Sequence, residues 1–580
     1  MDSVVQPHQY VAVRMSSGMY KLVKAAPNTT ILLGKYGSFY TNHIIGRPFH
    51  QTYELLPTPE EDGYSLRVVP AAELHAEALI SEGSAEVDGL IEEPPESGSA
   101  GQQPIRSNRD INDDGSAQTL TWEEIEDLKR NTTGAGKEII DKLLESHSTI
   151  DKKTAFSLAK YKLRKEKKYL KRFTIVPLDV NILTEYMLEQ KEAHRIMELR
   201  HELIGLLGCW GNVHHSGNLE NVEPNGRYLV IDDTGGLVVA AMAERMGILH
   251  PPGEDEEDEE VDDGLVLKEE ETSEVPTQSD PANEHRHTGE QKARPQTRPH
   301  AKRQPMTAKQ NSITVIHPHS QPNLSLLKYF GYDTEEPNVS HPLFEHLKLA
   351  TWLQVLDPEA DNIYSEKPEE VDEATLKTYK PRQRGTYHRK HARWARVRRV
   401  VDEIRAGGYD GLVVASVMDP DSILRHLVPL LSGGASIAVY SPSVEPLTLL
   451  MDLYSTARRS AYISKKADLE KERRSIDLDN MDVDLPSVES QLASEFSLDP
   501  TLVLAPMLQT SRVREWQVLP GRTHPLMSGR GGAEGYIFHG IRAIPQSQHV
   551  QARGVNSRKK RKLDVGDNGT PDDGSTPVAA

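Results

Sequence analysis

The chain has 580 residues, of which 37% are hydrophobic, and a formal net charge of −19. That length holds roughly two to four domains, and the composition fits folded domains joined by long polar segments. One cysteine, Cys209, excludes an internal disulfide framework and predicts a reducing compartment. The N-terminal MDSVVQPHQY lacks the charged-then-apolar order of a secretory signal, and no apolar run reaches the length of a membrane span. A soluble intracellular protein with no membrane partner is expected.

The negative mean charge hides blocks of opposite sign. Glu254 to Asp263 is nearly all acidic, whereas Lys152 to Arg172 carries ten Lys or Arg against one Glu.

In chain order, residues 1–80 read as short strands. QYVAVRM and MYKLVKA flank the turn Ser16-Ser17-Gly18, and ILLGKYGSFYTNHIIG, QTYELLP and YSLRVVP follow. Close spacing with Gly and Pro punctuation predicts a small N-terminal β-barrel or sandwich. Residues 81–106 read as a flexible loop, and 107–180 as a helical linker. There, Thr121 and Glu124 fit a capping box, and the Gly134-Ala135-Gly136-Lys137 break precedes a short apolar helix. A longer basic helix spans about Thr154 to Arg172. Residues 181–545 alternate between helix and strand, with polar insertions expected to lack order at about 251–310 and 464–486. The expected strands include RYLVID, ITVIHP, GLVVAS and SIAVYSP; TLVLAP, REWQVLP and GYIFHGIRA are expected to close the sheet. WLQVLD lies near 352–357, and a helix is expected from about 387 to 406. Residues 546–580 form a polar tail carrying the basic run Arg558 to Lys562, which resembles a nuclear import signal.

Between RYLVID and the helix LVVAAMAERM lies Asp233-Thr234-Gly235-Gly236. Strand, tight turn and helix make a nucleotide site in a doubly wound sheet, provided spaced glycines let the backbone approach the ligand. Here the spacing is missing and carboxylates stand beside the turn. The next strand ends at His317-Pro318 without the carboxylate that would take ribose hydroxyls. The α/β reading is therefore a Rossmann-like methyltransferase fold lacking a cofactor motif, with no cofactor expected.

On the basic helix, Phe156, Ala159, Leu163, Leu170 and Phe173 form a packing stripe. Lys160, Lys162, Arg164, Lys165, Lys167, Lys168, Lys171 and Arg172 cover the other faces, with Tyr161 and Tyr169 between them. Like charges so dense repel one another unless an anion lies against them, and phosphate is the natural candidate. A solvated face, or one paired with the acidic run, is the plainer reading. A second basic stretch from Lys380 to Arg399 contains Tyr387 and Trp394, which could stack on bases. Equally, it could be a surface helix burying Val397, Val400 and Val401. Asp419-Pro420 follows a strand, at the edge where α/β sheets carry active sites. Asp419 is either a base or a helix cap.

These segments together resemble one family. ILLGKYGSFYTNHIIGRPFHQTYEL, then Asn108-Arg109-Asp110, Asp113-Asp114-Gly115-Ser116 and Gln118, then LTWEEIEDLK, KKTAFSLAKYKLRKEKKYLKRFT and the late Gln517 to Pro525 are similar to the non-catalytic subunit of the eukaryotic tRNA (adenine-N1)-methyltransferase, in its fungal form. The resemblance implies a tRNA-binding subunit that acts on a T-loop adenosine through a catalytic, S-adenosylmethionine-binding paralogue. It implies two copies of each in a heterotetramer, tRNA (initiator tRNA included) as the substrate, and the nucleus as the location. It also implies tRNA contacts at Asn108, Arg109, Gln118 and the basic set. Two other classes fit the residues: an active RNA methyltransferase with an atypical site and Asp419 as base, or a nuclear adaptor working through its charged tracts.

Overall fold

The computed structural model describes residues 3–57, 64–75, 118–131, 136–150, 153–189, 192–214, 226–250, 311–478, 486–519, 522–526 and 533–544. The expected loop at 81–106, the acidic insertion at 251–310 and the tail from 546 lie outside them.

The N-terminal strands are β1 (Tyr10–Met15), β2 (Tyr20–Lys24), β3 (Thr30–Leu32), β4 (Ser38–Tyr40), β5 (Thr52–Pro57) and β6 (Tyr64–Val69). Three helices follow, α1 (Trp122–Asn131), α2 (Lys137–Glu145) and α3 (Ala155–Tyr169), and then β7 (Arg172–Pro177). The strands pair antiparallel in the order β2-β1-β7-β5-β6, and β3 pairs with β4 separately. Among the described residues nothing joins β2 to β6, so the pairing gives an open sheet with two edges instead of the expected barrel. The sheet is completed by β7, which the sequence places in the helical linker. Its burial is nearly continuous, as a central strand requires and a linker does not.

Period-two alternation gives this sheet two buried faces. Val11, Val13, Phe173 and Ile175 meet Ile31 and Phe39 of the small hairpin, with Phe39 stacked on Phe173 at 4.7 Å. Ala12 and Val176 turn the other way, into the core of the C-terminal domain.

That domain contains α4 (Val180–Glu189), α5 (His201–Trp210), β8 (Gly226–Asp232), α6 (Leu237–Met246), β9 (Asn311–His317), β10 (Leu347–Thr351), α7 (Pro381–Ala406) and β11 (Tyr409–Ala415). It continues through α8 (Pro420–Leu427), β12 (Leu431–Ser441), α9 (Glu445–Leu453), α10 (Thr456–Leu478), α11 (Val488–Glu495), β13 (Val503–Gln509), β14 (Trp516–Leu519), β15 (Arg522–Pro525) and β16 (Tyr536–Arg542). The seven-stranded sheet has the order β10-β9-β8-β11-β12-β16-β13; its first five strands are parallel, and β16 runs antiparallel to both neighbours. Separate apolar cores cover its two faces. This is the doubly wound, methyltransferase-like arrangement. The direction of strand addition reverses at β8, so the turn after β8 lies at the switch point where such sheets bind ligands.

Two sequence readings change here, and one segment left open is settled. REWQVLP does not join the sheet; β14 pairs with β15 as a separate hairpin, and β16 enters between β12 and β13. WLQVLD is a short helix whose N-terminus is closed by a Thr351–Gln354 capping box, and the strand lies just ahead of it. Of the polar stretch expected to be an insertion at 464–486, residues up to Leu478 are helical. Residues 464–478 are rich in Lys, Glu and Arg without Gly or Pro, so helix propensity is high although burial is low.

Candidate nucleic-acid interface and a closed cofactor turn

The turn after β8 is occupied by its own side chains. Asp232 is buried, and its carboxylate accepts from the backbone N–H of Thr234 (2.7 Å), the Thr234 hydroxyl (2.5 Å) and the N–H of Val239 (3.0 Å). The Thr234 hydroxyl oxygen accepts from Val238 N–H at 3.2 Å. Three N–H groups of this turn and first helical stretch, those of Thr234, Val238 and Val239, are thus bonded by the chain itself. Burial raises the Asp232 carboxyl above its ordinary value. Asp233 turns to β11, accepting from the Ser416 hydroxyl (2.6 Å) and Val417 N–H (3.0 Å).

Gly235 and Gly236 have φ of +74° and +94°, so glycine is required, but neither is open to solvent. Leu324 and Leu326, from the loop and 3-10 turn after β9, lie directly on them. A Cβ on Gly236 would sit 3.0 Å from the Leu324 Cα, and Leu326 N–H donates to the Gly235 carbonyl at 3.0 Å. The second strand ends on buried His317, whose burial lowers its imidazole below the usual value. Neither the small apolar cavity between α5 and α6 nor the cleft between α8 and α9 includes a turn residue. These residues do not fit a nucleotide cofactor: the approach to the glycines is filled by leucine, Asp232 and Thr234 hold three of the nearby N–H groups, and a histidine stands where the ribose carboxylate would be. Leu324 and Leu326 carried no signal in the sequence, because they reach the turn only through tertiary folding.

Asp419, the alternative base, is exposed at the rim of the cleft between α8 and α9. It occupies the N-cap position of α8, but its side chain makes no cap bond; its backbone carbonyl accepts from the Ser422 hydroxyl at 2.7 Å.

The basic helix is built differently. Thr154 caps α3 by accepting from Ser157 N–H at 3.4 Å. The expected capping box upstream is formed, with Thr121 N–H donating to Glu124 at 2.8 Å and Glu124 N–H donating to the Thr121 hydroxyl at 3.3 Å. Tyr169 packs with Ile139, Ile140 and Leu143 of α2. The helix end is tied to the N-terminal sheet, because Tyr36 hydroxyl donates to the Lys167 carbonyl (3.2 Å) and Ser16 hydroxyl to the Leu170 carbonyl (2.7 Å). Gly136 explains the glycine-rich break: its φ is +94°, and a Cβ there would fall 2.2 Å from the Tyr169 carbonyl oxygen. The far side of α3 contacts the hairpin through Phe156 and His524, with ring centroids 5.8 Å apart.

Lys160, Lys162, Arg164, Lys165, Lys167 and Lys168 all lie on α3, and none makes an ion pair with a described residue. Arg164, Lys167 and Lys168 are exposed and the other three half-buried. Lys160, Arg164 and Lys167 recur at four and three residues and so share one face. Lys165 lies over Tyr161 (4.8 Å to the ring centre) and Tyr169 (5.9 Å), and burial draws its ammonium below the usual lysine value.

Gln118 joins this group. Its amide donates to the Ser146 hydroxyl (2.5 Å) and accepts from the Tyr161 hydroxyl (3.4 Å), placing it beside the first half of α3. Asn108 and Arg109 lie outside the described residues. Lys171 and Arg172 fall beyond the helix end, contrary to the expected boundary. Arg172 leaves the basic surface altogether: it is buried in β7, pairing with Glu54 at 2.9 Å and Glu73 at 3.3 Å. Phe173 likewise belongs to the N-terminal core and not to the helix stripe. Lys129 of α1, which the sequence reading missed, approaches the Tyr169 ring at 6.0 Å; its place on a short amphipathic helix was the available signal.

In α7, Tyr387 and Trp394 are not free for stacking. Val371 N–H donates to the Tyr387 hydroxyl and Trp394 Nε1 to the Tyr364 carbonyl, each at 3.3 Å. Val400, Val401 and Ile404 form the buried side, as the surface-helix reading required for the first two; Val397 is half-buried.

Comparison with known proteins agrees with this architecture. The family model described as "Gcd10p family" matches residues 4–380. A protein of Aspergillus oryzae named "tRNA (adenine(58)-N(1))-methyltransferase non-catalytic subunit trm6" is 56% identical over 97% of this chain and 96% of its own. Its namesake in Aspergillus fumigatus is 55% identical over the same shares, and that in Schizosaccharomyces pombe 26% identical, again over 97% and 96%. The chain belongs to the Gcd10p family.

Proposed function

We propose that this chain is the non-catalytic, tRNA-binding subunit of a tRNA (adenine-N1)-methyltransferase that modifies a T-loop adenosine. The observation that carries the reading is the turn after β8. It stands at the switch point of a methyltransferase-like sheet, yet its glycines are covered by Leu324 and Leu326, and Asp232 and Thr234 hold the N–H groups of Thr234, Val238 and Val239. A subunit of this kind leaves the methyl donor to a catalytic, S-adenosylmethionine-binding paralogue, in a complex of two copies of each.

Two features support the binding roles. The six cations of α3, none ion-paired among the described residues, suit the phosphates of a folded tRNA, recognised by shape and charge, and Gln118 stands beside them. Asn108, Arg109 and Lys171 extend this contact by the family resemblance. For the partner subunit, the β14–β15 hairpin offers a face. A two-stranded hairpin is marginal by itself. Gln517 and Leu519 are half-buried, whereas Trp516 and Val518, on the opposite face, are 59% and 73% exposed. An aromatic and an aliphatic side chain left side by side in solvent suit a protein interface. The basic run Arg558 to Lys562 supports a nuclear location.

Affinity purification of the full chain followed by mass spectrometry should bring down one paralogue that binds S-adenosylmethionine. Calorimetry should show heat with the methyl donor for the complex and none for the chain alone. Methylation of tRNA by the purified single chain would refute the proposal.

A further inference from the structure

The first half of α7 carries a second cationic surface, beyond the residues 4–380 that the family model matches. Between Glu373 and Asp402 there is no carboxylate, and ten Lys or Arg occupy the interval. Arg382, Arg389, Arg393 and Arg396 recur at steps of seven, four and three, so they form one line along the helix. All four are exposed, and none pairs with a carboxylate among the described residues. Arg389 donates to its own helix at the Gly385 carbonyl, and Arg396 lies over the Phe344 ring at 5.1 Å. The same line ends at buried Val400. One face therefore changes from arginine to valine, and only its last turns have a protein partner.

The other side of this half-helix is fixed. Tyr387, His391 and Trp394 hold the segment 364–371 by contacts to Val371 N–H, the Glu369 carbonyl and the Tyr364 carbonyl. The arginine row is thus held rigidly outward. From Arg382 to Arg396 it spans about 21 Å at the helical rise, too long for one small anion and suited to a string of phosphates. Guanidinium groups grip phosphate oxygens in pairs. A protein interface sets its arginine anchors in packed, desolvated pockets beside aromatic ones, and here the row is exposed and the aromatic side chains are turned inward.

We infer that the arginine row of α7 is a second RNA contact, binding the sugar-phosphate backbone of the tRNA held by α3. This rests on the tRNA reading above. The test is a full-length R382Q/R389Q/R393Q chain, measured with a tRNA transcript by fluorescence anisotropy across a KCl titration beside the parent and a K165E/K167E/K168E chain. The arginine variant should raise the dissociation constant about tenfold and lower the salt-dependence slope by about 2–3, with the unfolding midpoint unchanged. The R382K/R389K/R393K chain should recover the slope, which damage to the fold would not allow. Parental affinity and slope in the arginine variant, with binding lost only in the lysine variant, would overturn the second contact and leave the tRNA reading standing. Parental behaviour in both variants would refute both. Loss of a co-purifying protein with tRNA affinity intact would assign the row to a protein partner and overturn the inference.

Discussion

The turn after β8 and the helix α3 treat charge in opposite ways. At the turn, two carboxylates are engaged by backbone N–H groups and hydroxyls within a few residues or from the residues just after β11, so both are turned to the chain itself. On α3, six cations make no ion pair with a described residue. A buried polar group must be satisfied within the fold, because leaving it unpaired costs about 1–3 kcal/mol. An exposed ammonium is satisfied by water and stays available. The sheet is thus filled with leucine at its switch point, while α3 carries its cations at the surface.

The sharpest way to break this contrast uses Arg172, which belongs to the basic run in sequence but not in space. Arg172→Ala leaves Glu54 buried with, among the described residues, only the Arg67 ion pair, and should cost about 3–5 kcal/mol in chemical denaturation. Lys168→Ala, four residues earlier, should change stability by less than about 0.5 kcal/mol. Equal costs would mean that Arg172 is solvated like its neighbours. Next comes the leucine cover. Leu326→Ala should destabilise by about 2–4 kcal/mol, and calorimetry should still give no heat with S-adenosylmethionine. Appearance of binding would show that leucine alone kept the methyl donor out.

Charge reversal in K165E/K167E/K168E should weaken tRNA binding about a hundredfold, or about 2.7 kcal/mol, and flatten its salt dependence; unchanged affinity would remove α3 from the interface. Gly136→Ala tests the support beneath that helix. The positive φ and the Tyr169 carbonyl oppose a side chain there, and a loss of about 2 kcal/mol is expected from the unfolding midpoint. The smallest effect is in pH. Hydrogen bonds from Arg67 and then Lys137 hold the Glu73 carboxyl down to about 2, below its ordinary 4.5. A depressed carboxyl favours the folded state above pH 4.5 and loses that contribution as pH falls through about 2. Unfolding midpoints measured over this window should decline less in Glu73→Gln than in the parent.

Much of this was legible locally. The strands β1, β2, β8, β9, β11 and β12 were marked by apolar runs between turn residues. The Thr121–Glu124 cap was marked by its spacing, and α3 by its unbroken basic stretch. The loss of spaced glycines was visible as a string of letters. By contrast, RFTIVP looked like the end of a linker because nothing in it says which strands it will join. REWQVLP looked like a sheet strand because strand propensity does not name a partner. WLQVLD has the composition of either element, and its capping box was decided by Thr351 and Gln354 together.

The sequence by itself determined the periodicities, the placement of charge and the chemistry missing from the turn, since those depend on neighbours a few residues apart. Only the tertiary structure decided that β7 completes a sheet begun more than a hundred residues earlier, that Arg172 is buried against Glu54, and that leucines from beyond β9 seal the glycines. Those outcomes depend on packing between segments distant in the chain, where close contact and desolvation, not local propensity, set the energy.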